Sequence, residues 1–589
     1  MNLTKFKKVL STYPTDELKL VLGDNLSDML IEWTPSDKQG LFTKSTLSEM
    51  IATIHGVSVL KDSEFRKGFL MRLTKDEVLS FRSVLPRRYA TCDNLGIIID
   101  GVTKANWKKN NVTDRLLAIL EISEDIFQKE TFTENSVERI VADERFFELL
   151  DYQFVIKQRV LNELTNGVPL NRMLVQMPTG TGKTKTTMHT IIHHFNFNLN
   201  QSGLVIWLAH TKELLDQAHE TFAAVWRHLG KKSVITYKLW DKFELPNGNE
   251  TLFGFLFGGF QKLISISKTK PDVFARLVQN CRLIIVDEAH KAAAKETKSL
   301  INGLMTKTPD THDRSLIGLT ATPGRNIADT TDIQRLVGMF DSKLIGIEPD
   351  VLNSVNLPRT RAKNAKSIPD IIHYFQNRRV LAKIDRERLT YPDTLSEQEM
   401  QKLKVQATAN GYDDYSHEFL ETIGRNKSRN LSILNKLIRL NNENIPTIVF
   451  ACSVEHGALL SAALTLQGIN NACVFGNMPS TMRKQAIQKF KDREDDLNIL
   501  INYEVLTTGF DATNIRCVFI TRPTQSVVLY SQMIGRGLRG PMMGGNETCL
   551  LVDIEDNLKK YNESSAFSYF ENYWNFNTTY NYENQEETR

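Results

Sequence analysis

Two stretches of the chain alternate short apolar runs with longer amphipathic segments; the rest does not. Over residues 172–348, apolar runs at 173–175, 203–209, 283–286 and 315–319, with strand candidates at 233–237 and 251–257, are separated by helical spacing at 186–195 and 212–229. Apolar runs without polar alternation, each followed by a helical segment, predict a parallel sheet covered on both faces. A second series has runs at 445–450, 472–475, 497–501, 517–520 and 548–552, with helical spacing at 455–467 and 481–492 between them. The fold class is therefore α/β, with two tandem parallel-sheet units. Residues 1–145 read as a mainly helical accessory domain, from the apolar spacing at 16–30 and 114–127, with a strand expected at 95–100. The pattern divides the chain into an accessory domain (1–145), a first lobe (146–348), a basic connector (349–425), a second lobe (426–556) and an aromatic tail (557–589). In that tail Phe567, Phe570 and Trp574 fall at helical spacing, which predicts a helix clipped onto the second lobe.

Composition narrows the class without naming a task. A chain of 589 residues exceeds one core, so about three to four domains are expected. No apolar run approaches the roughly 20 residues that span a bilayer. No signal-peptide core follows Met1-Asn2-Leu3, and a cytoplasmic location with no membrane partner is the expectation. The six cysteines form no CxxC pair, so neither structural zinc nor a disulfide framework is expected. Net charge is only +4, so contact with nucleic acid has to come from local placement. The run 356–388 offers such a place, with nine Lys or Arg against three acids. Basic–aromatic pairs at Arg88-Tyr89 and Trp107-Lys108 read as ordinary surface.

The chemistry begins at Met177-Pro178-Thr179-Gly180-Thr181-Gly182-Lys183-Thr184, between an expected strand and an expected helix. Glycines let backbone N–H groups close around phosphates, and the helix start adds unpaired donors. Lys183 would neutralise the β- and γ-phosphates, and the Thr184 hydroxyl would hold Mg²⁺. Asp287-Glu288, closing the run 283–286, would bind the same Mg²⁺ through Asp287 and orient water through Glu288. Gln153, upstream of the loop, has an amide that suits the adenine edge. Arg536 and Arg539, three apart on an expected helix from about Ser526, would share a face and meet a γ-phosphate.

In order along the chain these motifs resemble superfamily 2 helicases and translocases of the DEAH-type DNA branch, which includes RadD-like and XPB-like enzymes and the motor subunits of type I and III restriction enzymes. The resemblance spans residues 150–555 and implies two RecA-like lobes with ATP and Mg²⁺ between them. It implies that Gln153, Thr179, Gly180, Thr181, Gly182, Lys183 and Thr184, with Gly509 and Asp511 of Thr508-Gly509-Phe510-Asp511, hold the nucleotide. Lys183, Asp287, Glu288, Gln532, Arg536 and Arg539 are then the catalytic set. His210, Thr211, Gln261 and Thr508 would touch the nucleic-acid backbone, and His290, Thr320 and Thr322 would couple hydrolysis to movement. The implied activity is an ATP-dependent DNA helicase or translocase of repair or recombination. A motor of an antiphage or restriction complex, with a protein partner at 1–145, is one alternative; an RNA helicase and a non-motor nucleotide-dependent module are others. The cysteine cluster of RadD-like enzymes and a nuclease signature are both missing from the sequence.

Overall fold

The computed structural model describes residues 3–34, 40–108, 110–122, 136–141, 148–168, 170–246, 251–306, 313–322, 330–347, 351, 359–361, 367–369, 371–391, 414–507, 512–524, 526–554 and 575–576. Seventeen strands are described: β1 (Val137–Ile140), β2 (Asn171–Gln176), β3 (Leu204–Ala209), β4 (Val234–Leu239), β5 (Gly254–Gly259), β6 (Cys281–Val286), β7 (Ser315–Thr320), β8 (Lys343–Ile345), β9 (Arg359–Arg361), β10 (Ser367–Pro369), β11 (Lys383–Leu389), β12 (Thr447–Phe450), β13 (Asn471–Val474), β14 (Ile499–Asn502), β15 (Cys517–Ile520), β16 (Thr548–Ile554) and β17 (Asn575–Phe576). The first sheet runs β1-β4-β5-β3-β6-β7-β2-β8-β17 and the second β11-β16-β15-β12-β14-β13, while β9 and β10 pair by themselves.

Both sheets are parallel except at one edge, where β1 pairs antiparallel with β4. Every residue of β3 is buried, because helices cover both faces. Val205 and Trp207 pack with the helices Lys183–Phe197 and Lys212–Leu229, while Leu204, Ile206 and Leu208 pack on the other side with Phe260–Thr269 and Lys295–Leu304. Ligand-facing loops of such sheets leave the C-terminal strand ends. Lys183 and Glu288 follow β2 and β6, and Thr320 ends β7, three strands that lie side by side.

Several expectations differ from the structure. The segment 95–100 is not a strand but the start of the helix Leu95–Thr103, which Asn94 caps by accepting from the Ile97 N–H at 3.3 Å. The cap and burial of Ile98 and Ile99 outweigh the β-branched run. Residues 137–140 join the first sheet as β1, and 383–389 join the second as β11, so neither behaves as accessory domain or connector. Within the basic run, Arg378 pairs with Asp151 and Arg379 with Glu547, so these two guanidiniums are engaged within the protein. Phe567, Phe570 and Trp574 lie outside the described residues, and β17 sits on β8 of the first sheet.

The helices of the N-terminal region share one apolar cluster with the second lobe. Phe6, Leu30, Ile51, Phe69 and Leu117 belong with Leu437, Leu459 and Phe475. The helix Val454–Leu466 shows why: Leu459, Leu460, Ala462 and Leu464 are all buried, and an all-round apolar helix needs cover on more than one side. Among the described residues no helix is long and apolar enough to cross a membrane, and no group of three metal-ligating side chains is assembled.

Candidate nucleotide site between the lobes

The loop 177–182 turns sharply from β2 into the helix Lys183–Phe197. Gly180 and Gly182 both have positive φ, +89° and +83°. A Cβ on Gly182 would lie 2.3 Å from Gln153 Nε2, so glycine is needed there for space as well as conformation. Thr181 is buried; its hydroxyl donates to the Pro178 carbonyl at 2.8 Å. Its carbonyl accepts from Tyr152 Oη at 2.7 Å and Gln153 Nε2 at 3.0 Å. Gln153 Oε1 in turn accepts from the Leu150 N–H at 3.0 Å. Gln153 Nε2 also donates to Tyr152 Oη at 3.3 Å, so both ends of the amide are bonded within the protein, where they brace the loop 177–182; donating to an adenine edge requires exchanging one of the two Nε2 bonds. Thr184, the second residue of the helix, is half-buried.

Beyond β6, Asp287 is buried and its N–H donates to the Leu208 carbonyl at 2.8 Å. Glu288 adopts φ +49°, a left-handed backbone that a non-glycine residue holds only when its surroundings enforce it. Its Oε1 lies 3.9 Å from Lys183 Nζ and its Oε2 3.3 Å from His290 Nδ1. The same His290 nitrogen is 3.3 Å from Thr320 Oγ1, which donates to the Thr322 carbonyl at 2.6 Å and accepts from the Thr322 N–H at 3.1 Å. Lys183, Glu288, His290, Thr320 and Thr322 therefore form one connected set.

Burial pushes the Asp287 carboxyl up to about 6, against the pull of Lys183 and with a further push from Glu288. Burial also raises Glu288, but the pull of Lys183, with smaller ones from His290, Lys291 and Arg536, outweighs it and holds Glu288 below its ordinary value. His290, pushed down to about 3 by burial, is neutral near pH 7, so its 3.3 Å approach to Glu288 is a polar contact and not an ion pair.

The second lobe closes the other side. The helix Val527–Ile534 starts at Ser526, whose hydroxyl accepts from the Leu529 N–H at 3.2 Å, and stops at Gly535. A Cβ on Gly535 would come within 2.6 Å of Thr179 Cγ2, so this turn lies directly against the phosphate loop. Arg536 and Arg539 do not share a helical face: both follow the helix, whose continuation is broken by Gly535 and Gly537. Arg536 donates from Nη2 to the Thr507 carbonyl at 2.9 Å and from Nε to the Gln532 carbonyl at 3.3 Å. Arg539 bridges Leu381 through the backbone, and its Cγ is 3.7 Å from a Cβ built on Gly180. Gln532 Nε2 is buried without a hydrogen-bond partner among the described residues.

A positive-φ glycine loop ending in Lys183, a buried carboxyl at Asp287 and the unmatched donor of Gln532 fit a nucleoside triphosphate with a divalent cation. His210, Thr211 and Gln261 follow the paired ends of β3 and β5. His210 stacks on Phe260 at 4.3 Å between centroids, Gln261 is exposed, and Thr211 Oγ1 caps its helix by accepting from the Leu214 N–H at 3.3 Å. Thr508, Gly509 and Asp511 lie outside the described residues. Sequence reasoning missed Leu381 and Met543, whose side chains reach within 3.3 and 3.4 Å of Cβ positions built on Gly180 and Gly182. Neither is polar or part of a motif, so only their placement marks them.

Residues 146–325 match the family model described as type III restriction enzyme, res subunit, and residues 429–540 match the helicase conserved C-terminal domain. The Schizosaccharomyces pombe protein named mitochondrial ATP-dependent helicase irc3 is 27% identical over 421 residues, covering 70% of this chain and 58% of that protein. The Saccharomyces cerevisiae ATP-dependent helicase IRC3 is 28% identical over 275 residues, covering 46% of this chain and 34% of that one. Both matches take in less than two thirds of the relative. Among solved structures, a fragment of an HsdR subunit of a type I restriction enzyme from Vibrio vulnificus YJ016 aligns with TM-score 0.46 at 19% identity, covering 71% of this chain and 66% of that one.

Proposed function

The chain belongs to the superfamily 2 ATP-dependent helicases, and from that premise we propose that it is a DNA-stimulated ATPase that moves along or separates strands in DNA repair or recombination. The observation that carries the reading is the meeting of two lobes at one loop: Gly535 against Thr179 and Arg539 against Gly180. Lys183 neutralises the phosphates from one side; Arg536 and Arg539 approach from the other. Glu288, kept ionised by its cationic neighbours, orients and deprotonates the attacking water, with His290 fixing its carboxylate. Gln532 Nε2 supplies a donor toward the same water or the γ-phosphate. A Mg²⁺ ion held by Thr184 and Asp287 would offset phosphate charge. Gly509 and Asp511 are proposed to complete the nucleotide contacts.

His290, Thr320 and Thr322 would pass the state of Glu288 to the strand ends, and His210, Thr211, Gln261 and Thr508 would grip the backbone without reading bases. The match to a restriction res subunit favours a second reading, the motor of a restriction or antiphage complex. A partner at the N-terminal region would belong to that reading. Because the core of that region continues into the second lobe, a pull-down has to use the full chain. The cytoplasmic placement is part of the proposal; the S. pombe relative is named mitochondrial, and fractionation of source cells decides. Comparing ATP hydrolysis with duplex DNA, single-stranded DNA and RNA tests the track: stimulation by RNA alone would overturn the DNA assignment.

A further inference from the structure

Residues 371–382 connect the two halves of the site, and no motif covers them. The helix Ile371–Asn377 sets Phe375 edge-on to Tyr152 at 4.9 Å between centroids, and Tyr152 holds the phosphate loop through Thr181. Arg378 pairs with Asp151 at the start of the same helix as Tyr152 and Gln153. Three backbone bonds then fasten the segment to the arginine turn. The Ala382 N–H donates to the Leu538 carbonyl at 2.8 Å, the Gly540 N–H to Val380 at 2.9 Å and the Met542 N–H to Arg379 at 3.0 Å. Leu381, fully buried, bridges Arg539 by its backbone and touches the Gly180 turn with its side chain. Tyr152, Phe375, Leu381, Tyr530 and Leu538 belong to one apolar cluster.

We propose that this segment is a tie between the base side of the nucleotide site and Arg539, with Phe375 and Leu381 as positioning residues that set the guanidinium according to what the Tyr152–Gln153 helix holds. It rests on the ATPase reading above. The route is physically continuous: a nucleotide base that draws Gln153 away from Thr181 shifts the loop and Tyr152, Phe375 follows by contact, and the three backbone bonds carry the shift to the arginine turn. Base identity then enters turnover and not only binding.

The test uses the full chain. Wild type is expected to hydrolyse ATP with a higher kcat than GTP. Leu381→Ala is expected to lower kcat for ATP about tenfold or more, since an ångström of misplacement suffices for that. It should leave KM for ATP within about twofold and bring the ATP-to-GTP kcat ratio close to one. Leu381→Met, which conserves volume, should retain wild-type values. Asp151→Arg and Arg378→Asp should each lower kcat modestly, as an exposed pair allows, and the double exchange should restore it at unchanged melting temperature. Equal kcat for ATP and GTP in wild type, a Leu381→Ala defect confined to KM, or failure of the double exchange to restore kcat would each overturn the tie. Should Leu381→Ala fail to fold, the charge exchange decides alone. A wild-type chain without ATPase activity would instead strike the function itself.

Discussion

Lys183, Glu288, His290 and Thr320 hold one another at the ends of three neighbouring strands, whereas Arg536 and Arg539 reach the same loop from another sheet. The first group is rigid by construction. Glu288 and His290 follow the buried strand β6 and Thr320 ends the buried strand β7, and Glu288, His290 and Thr320 make polar contacts of 3.3 Å in succession. The arginine turn is held by backbone bonds to residues 379–382 and by apolar contacts, which a lobe movement can shift without breaking a buried charge pair. Such a division suits a motor. Under the proposed function, the half assigned the chemistry is preorganised, and the half assigned to complete it would depend on closure.

The largest expected effects break the rigid half. Lys183→Ala or Glu288→Gln should lower ATP turnover by about a thousandfold or more with the fold intact, measured by phosphate release and thermal melting. If either variant turns over at the wild-type rate, the rigid half has been misassigned. Arg536→Ala or Arg539→Ala should lower kcat by about a hundredfold or more while ATP still binds. Binding measured by a fluorescent nucleotide separates the two halves, because loss of affinity as large as the loss of kcat would make the arginines ordinary ligands.

A subtler contrast concerns stability. Burial raises the Asp287 carboxyl to about 6, so the folded state favours its protonated form. The raised value contributes stability that is fully present below the unfolded pKa near 4 and is lost as pH rises through about 6. Asp287→Asn should therefore abolish turnover yet stabilise the nucleotide-free chain, by about 3 kcal/mol above pH 7, with the gain fading below pH 4. A denaturant titration at two pH values checks it; equal stability of the two proteins at pH 7.5 would show that Asp287 is not strained by burial. The smallest effect belongs to Thr211→Ala. Loss of its cap should cost about 1 kcal/mol and weaken DNA stimulation while leaving basal hydrolysis unchanged.

The first lobe was largely legible because its signals are local. The glycines, Lys183 and the strand-ending Asp287-Glu288 are fixed by residue type and by spacing of a few positions, and the parallel-sheet rhythm follows from runs that need cover on both faces. The reach of the Arg536 helix was misread because two glycines, at 535 and 537, end it early. Gln153 was legible as a residue close to the glycine loop, but its bonds to Leu150 and Thr181 depend on where the loop carbonyls point. The strand at 95–100 failed because short β-branched runs suit a capped, half-buried helix equally well.

By itself the sequence determined the glycine-bearing loop before Lys183, the carboxyl pair that closes a strand and the two sheet-building rhythms, since those depend on contacts between near neighbours in the chain. Tertiary structure alone decided that residues 383–389 complete the second sheet, that the N-terminal helices share their core with the second lobe, and that Leu381 lies between Gly180 and Arg539. Those outcomes come from burying apolar faces against partners far away in sequence, and a apolar residue carries no mark of which partner it will meet.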